Sequence, residues 1–142
     1  MWADTLLVAE RTHLLRLALW GAASLLVGTA LVALMLVSRP PSSLLKHFGI
    51  QTAAWGVVEL TVALLLLRSL ALRDLASATR LDRMLWMNIG LDVGYALVGI
   101  TLAVIGWRTV RRLGLVGAGM AIILQGAALL TLDLLFAGQI SR

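Results

Sequence analysis

The sequence predicts an all-α fold, an integral membrane antiparallel four-helix bundle, on three observations. The chain of 142 residues is 61% hydrophobic and only 13% charged, where a soluble domain carries about a quarter charged residues. Its mean hydropathy is +0.97, more apolar side chain than so short a soluble chain can bury, so lipid must cover the outside. Finally, the apolar residues fall into four continuous runs, 17–37, 48–67, 85–107 and 115–137. Each run is about the 20 residues that a spanning helix requires. None alternates as a transmembrane strand would. The whole of 1–142 reads as one domain.

The first span, Leu17–Val37, carries no charge. It is longer than a signal-peptide core and lacks a persuasive cleavage site, so it reads as a retained helix. Ser38-Arg39-Pro40-Pro41-Ser42 follows it, and consecutive prolines cannot continue a helix. The second span, Phe48–Leu67, is interrupted only by Glu59. Thr79-Arg80-Leu81-Asp82 has the form of a capping box that starts the third helix. Trp86 and Trp107 flank that third span. Their separation in a helix is about 30 Å, the hydrocarbon thickness, which fits an aromatic belt. Arg108 to Gly114 reads as a short basic hairpin before the fourth span, which holds Gln125 and Asp133. Short connections make successive helices antiparallel neighbours, up-down-up-down.

The net charge is +5, from 12 Lys+Arg against 7 Asp+Glu. Basic charge on a greasy chain points to the lipid bilayer and its anionic headgroups, and no lysine-rich tail or basic-aromatic surface supports nucleic acid. The face with both termini (side A) carries Arg11, Arg16, Arg68, Arg73, Arg80, Arg83 and Arg142. The other face (side B) carries Arg39, Lys46, Arg108, Arg111 and Arg112. The small excess favours cytoplasmic termini in a multi-pass membrane protein, with dual insertion as the alternative. No cysteine is present, which excludes disulfides, thioether haem and thiolate metal sites. His13 and His47 fall near opposite faces, so they cannot share a metal or haem. With no clustered Ser/His/Asp set, HExxH or phosphate loop, an enzyme has little support. A lipid- or quinone-directed enzyme would lack both nucleophile and metal set. The sequence names no cofactor.

Polar residues concentrate on single faces. In the third span Asn88, Asp92, Tyr95, Gly99 and Gly106 are separated by steps of four, three, four and seven. At ~100° per residue they share a stripe roughly 60° wide. In the second span Thr52, Trp55, Gly56, Glu59 and Ala63 form a similar stripe, and in the fourth Gly117, Ala121, Gln125 and Ala128 do. By rise per residue, Asp92 lies about 10 Å and Tyr95 about 15 Å from side A, and Glu59 about 16 Å from side B. These depths sketch a polar pocket. Glu59, Tyr95 and Gln125 are its floor, Asp92 and Asn88 its wall, Asp133 its mouth, and Arg68, Arg80 and Arg83 a ring around that mouth. The candidate ligand- or proton-binding residues are therefore Glu59, Asp92, Asn88, Tyr95, Gln125, Asp133 and Trp55. No metal site is expected.

A packing explanation stands beside each. Polar groups between membrane helices serve as interhelical glue at about 0.6 kcal/mol each, which suits Asn88, Tyr95 and Gln125. Gly90/Gly94 and Ser24/Gly28 have the spacing of close-packed small residues. Asp133, near a helix end, can reach water. Glu59 and Asp92 fit packing less well, because an ionisable group at mid-membrane costs about 3 kcal/mol. Two such groups can share a proton, hold a cation or hydrogen-bond a buried ligand. An echo of Trp55-Gly56-Val57-Val58-Glu59-Leu60-Thr61 in Gln125-Gly126-Ala127-Ala128-Leu129-Leu130-Thr131 fits a duplicated helical hairpin, but chance in a restricted alphabet accounts for it more readily.

The segments WGxxE, NxGLDxGYxxxG and QGxxLLxxD resemble those of small bacterial four-helix membrane proteins of unknown function. The likeness covers roughly residues 48–136 and implies fold and compartment, not activity. In that group Asn is expected where this chain has Glu59, so the departure adds a charge. Small multidrug transporters are similar in architecture only, since their membrane glutamate belongs to the first helix, which is uncharged here. Two functions follow. One is a bundle that binds or passes a proton, a cation or a small polar or amphipathic ligand. The other is a non-catalytic subunit or scaffold, in a homo-oligomer or larger membrane complex, whose polar residues are packing glue.

Overall fold

The computed structural model describes residues 2–109 and 111–140, so Arg142 lies outside the described residues. Among those residues the chain forms four α-helices and no strand: α1 Trp2–Val37, α2 Ser43–Arg68, α3 Leu75–Val104 and α4 Leu113–Ile140. All four are long and apolar enough to cross a membrane. A π-helical turn, Ile105–Thr109, continues α3.

Two helices begin well before the apolar runs that announced them. α1 starts at Trp2 rather than residue 17 and α3 at Leu75 rather than residue 85. Hydropathy finds only the part of a helix that suits lipid. Residues 2–16 contain no proline or glycine, so nothing stops the helix from continuing outward. α1 has 36 residues, roughly 54 Å at 1.5 Å each, and overshoots a ~30 Å hydrocarbon layer. The start of α3 also corrects the capping box. Asp74 is the N-cap, its carboxylate accepting from the Ser77 amide at 2.8 Å. Thr79 is already inside the helix, its hydroxyl donating to the Leu75 carbonyl at 2.9 Å. Ser42 caps α2, accepting from the Leu45 amide at 3.3 Å. The α3–α4 connection is tighter than the expected 108–114 hairpin, since Leu113 and Gly114 belong to α4. Arg111 adopts φ 51, the left-handed conformation, and the Arg112 amide bonds back to the Gly106 carbonyl at 2.8 Å.

The bundle is two antiparallel hairpins, α1/α2 and α3/α4, sealed by glycine. A Cβ on Gly49 of α2 would fall 2.9 Å from the Gly28 carbonyl oxygen of α1. A Cβ on Gly99 of α3 would fall 2.7 Å from the Gly119 oxygen of α4. Backbones come this close only where a side chain is missing. The hairpins join through α4, which packs along α2 and, more lightly, α1. Consecutive α2 and α3, expected to be neighbours, are not: no Cα of one lies within 8 Å of the other. The glycine pattern explains this. Gly90 and Gly94, the GxxxG pair on α3, have nothing within 4 Å of a built Cβ, so they seal no helix pair in this chain. Ser24 and Gly28 on α1 do lie at packed positions, both buried.

Polarity is inverted relative to a soluble bundle. Among the described residues the buried hydrophobics are Ala9, Leu14, Met35, Ala63, Leu85, Val116, Ala121 and Phe136. The buried polar side chains are nearly as many: Glu10, Ser24, Thr52, Glu59, Asp92, Gln125 and Asp133. Large apolar side chains instead cover the outside, Leu19 and Leu26 on α1 among the most exposed. A hydrocarbon solvent favours this distribution.

Candidate functional site

Where α2 and α3 part, the bundle contains a cavity of about 430 Å³ lined by all four helices and by Arg73 of the α2–α3 connection. Each helix contributes one face. From α1 come Glu10, His13, Leu14 and Leu17, spaced i, i+3, i+4, i+7. From α2 come Trp55, Val58, Glu59, Val62 and Leu66, and from α4 Leu129, Asp133 and Phe136. On α3 the lining runs from Leu81 through Met84, Leu85, Asn88, Leu91 and Asp92 to Tyr95. The walls are apolar and the polar groups are carboxyls, an imidazole, a guanidinium, an amide and two aromatic residues.

The side-B end is closed by an edge-to-face contact between Trp55 and Tyr95, ring centroids 5.0 Å apart at 65°. Glu59 lies one turn beyond Trp55 toward side A, and Asp92 about one turn beyond Tyr95 in the same direction. The two carboxyl groups thus sit at matching heights, ~5 Å above the aromatic pair. Each occupies a position opposite glycine. A Cβ on Gly21 of α1 would come 3.1 Å from the Glu59 Cβ, and one on Gly126 of α4 would come 2.8 Å from the Asp92 carbonyl oxygen. Both side chains are 4% exposed. Both Glu59 oxygens and Oδ2 of Asp92 are buried without a hydrogen-bond partner.

Toward side A the carboxyls have basic neighbours, while His13 Nδ1 is buried without a hydrogen-bond partner. His13 Nε2 stands 3.5 Å from Oδ1 of Asp133, and its ring stacks on Phe136 with centroids 4.7 Å apart. Arg73 makes a two-pronged bridge to buried Glu10, Nε donating to Oε2 at 2.8 Å and a terminal nitrogen donating to Oε1. The bridge ties the α2–α3 connection to α1 across the side-A end of the cavity. Those hydrogen bonds hold the Arg73 guanidinium above its already high ordinary pKa.

The expected pocket is therefore corrected in several places. Gln125 does not line the cavity. It is 1% exposed and turns to α1, accepting from Trp20 Nε1 at 2.6 Å and donating to Ser24 Oγ at 3.0 Å. Its neighbour Gly126 meets α3, and one residue is ~100° around a helix, so Gln125 must face another partner. Asn88 lines the cavity but is an exposed residue at its rim. Arg68, Arg80 and Arg83 are exposed and do not line the cavity; the arginine at that end is Arg73. Glu59, Asp92, Tyr95, Trp55 and Asp133 do meet around one space. Sequence reasoning missed Glu10, His13 and Arg73 of the cavity, and Trp20 and Ser24 as partners of Gln125. The i, i+3, i+4, i+7 pattern from Glu10 to Leu17 was the available signal. Among the described residues no three His, Asp or Glu side chains stand close enough to hold one metal ion.

Four apolar helices around a carboxyl-lined interior define the class: a small all-helical protein of membrane-spanning dimensions. The chain belongs to the family of unknown function DUF6992, matched over residues 16–134. That stretch includes all three sequence segments singled out above, while Glu10 and His13 precede it. No curated protein and no solved structure matches the chain.

Proposed function

We propose that the protein is a multi-pass protein of a bacterial inner membrane, with cytoplasmic termini and a cavity that receives a small cationic species, the proton included, at Glu59 and Asp92. It binds or passes that species and carries out no covalent chemistry. The observation that carries this reading is the lack of any partner for three carboxyl oxygens in two side chains that are 4% exposed. An ionised carboxylate held away from water needs a partner, and here the space beside it is where one fits. The arginines of side A favour contact with anionic headgroups. The scaffold reading is supported at Gln125, whose amide is fully engaged in joining α4 to α1.

A membrane-soluble carbodiimide tests the proposal, because it modifies carboxyl groups that are reachable from the bilayer. In the reconstituted full chain, adducts are expected on Glu59 and Asp92 by mass spectrometry, and to disappear in Glu59→Gln and Asp92→Asn. If only exposed acids such as Asp82 react, the carboxyls are sealed packing elements and the scaffold reading stands instead.

A further inference from the structure

We propose that the ligand of this site is a lipophilic primary ammonium, an NH3+ group on an apolar chain, which reaches the cavity sideways from the bilayer through the seam between α2 and α3. This rests on the reading of Glu59 and Asp92 as a cation site and adds the chemical class and the route.

Charge selects the head. Within the cavity Glu10 is bridged by Arg73 and Asp133 has the His13 imidazole 3.5 Å away, whereas both Glu59 oxygens and Oδ2 of Asp92 have no partner. These make three unpartnered oxygens, and an ammonium carries three N–H donors and no acceptor. Trp55 and Tyr95 line the same cavity one turn below, and aromatic rings near a cation attract it. A metal ion fits this set poorly, since no three acidic or imidazole groups among the described residues converge.

The lining selects the tail. Away from the carboxyls the wall is formed by residues such as Leu14, Leu17, Val62 and Leu129, and a cavity of about 430 Å³ lies within the ~300–1,000 Å³ of small-molecule sites. The seam selects the route. α2 and α3 hold no backbone contact, and Val58, Val62 and Leu91, which line the cavity along that seam, are 51%, 42% and 47% exposed. The side-A end, by contrast, is crossed by the Arg73–Glu10 bridge.

The test uses the full chain in phosphatidylcholine nanodiscs, with decylammonium as probe and decanol and butylammonium as controls. Decylammonium is expected to slow carbodiimide modification of Glu59 and Asp92 at least fivefold, whereas decanol and butylammonium at equal concentration leave it unchanged. It is also expected to raise the Tm of the wild type by several degrees and that of the Glu59→Gln/Asp92→Asn double variant not at all. Equal protection by decanol overturns the charged head, and equal protection by butylammonium overturns the apolar tail and lateral route. Modification that proceeds unslowed by decylammonium overturns the ligand class but leaves the cation-site reading intact. Carboxyls that never react, with or without probe, overturn both. A Tm rise in the double variant equal to that of the wild type overturns the assignment to these carboxyls.

Discussion

The seam between α1 and α2 and the gap between α2 and α3 are built from different residues, glycine in one and carboxyl and branched apolar side chains in the other. In the first, glycines on both helices bring backbones into contact, and Gly28 leaves no room for a side chain against Gly49 and Ala53. In the second, no glycine lines the space, which is bounded by carboxyls and by apolar side chains such as Val58, Val62 and Leu91; Gly90 and Gly94 of α3 lie outside that lining, with nothing within 4 Å of a built Cβ. Polar groups divide in the same way. Gln125, between α4 and α1, has both ends of its amide bonded, whereas Glu59 has both oxygens free. On the proposed cation-site reading, a polar residue that holds helices together finds its partner within the protein, and Glu59 finds its partner in the ligand.

Substitutions can break or sharpen this contrast. The largest effect is expected from Gly28→Val, which drives side-chain atoms into the α2 backbone. A loss of ~3 kcal/mol is expected from overpacking of this severity, read by denaturant titration in detergent, while Gly90→Val should change stability by less than ~0.5 kcal/mol. Equal effects at the two glycines would erase the distinction between a glycine that seals a helix pair and one that meets no neighbour. Next comes Arg73→Gln, which leaves buried Glu10 without its cation. Arg73 is about one-third exposed, so the ~3–5 kcal/mol of a fully buried pair is reduced by solvent screening to ~1–2 kcal/mol. Faster hydrogen exchange at the start of α3 checks it, and unchanged exchange there would mean the bridge is incidental. Gln125→Leu strands Trp20 and Ser24 and should cost ~1 kcal/mol, measured by the same denaturant titration.

The smallest effect lies outside the membrane at Asp74. The hydrogen bonds from Ser77 hold its carboxyl below the usual Asp range. A group whose pKa is depressed by folding stabilises above its unfolded pKa and loses that contribution as pH falls through the folded value. Acidification below the ordinary Asp range should therefore fray the first turn of α3, and Asp74→Ala should remove that pH dependence. Exchange at Leu75–Ala78 that is equally pH-sensitive in both proteins would count against the cap.

How much of this was legible in the sequence follows from what each signal measures. Hydropathy located four helices because lipid rewards continuous apolar runs, but it could not see the ends of α1 and α3, which continue as helix beyond the apolar layer. The spacing of Asp92, Tyr95 and Gly99 placed them on one face of α3, because helical angle is internal to a helix. It could not say which neighbour that face meets. Gln125 was assigned to the same space as Glu59 on depth alone, yet Gly126 commits that side of α4 to α3 and rotates the amide to Trp20. Likewise the short α2–α3 connection suggested adjacency, while the glycines that permit contact lie between other pairs. Arg73 and Glu10 went unpaired because 63 residues separate them and only the folded chain brings them together.

The central claim is that Glu59 and Asp92 contribute to binding rather than to holding the bundle. The most direct measurement compares the unfolding free energy of Glu59→Gln/Asp92→Asn with that of the wild type, ligand-free and in the same detergent, beside Gln125→Leu. Neutralising two unpartnered buried carboxyls is expected to leave stability unchanged or raise it by ~1–3 kcal/mol, opposite in sign to the loss at Gln125. A double variant that loses stability as Gln125→Leu does would show that the carboxyls are packing elements, and would contradict the account.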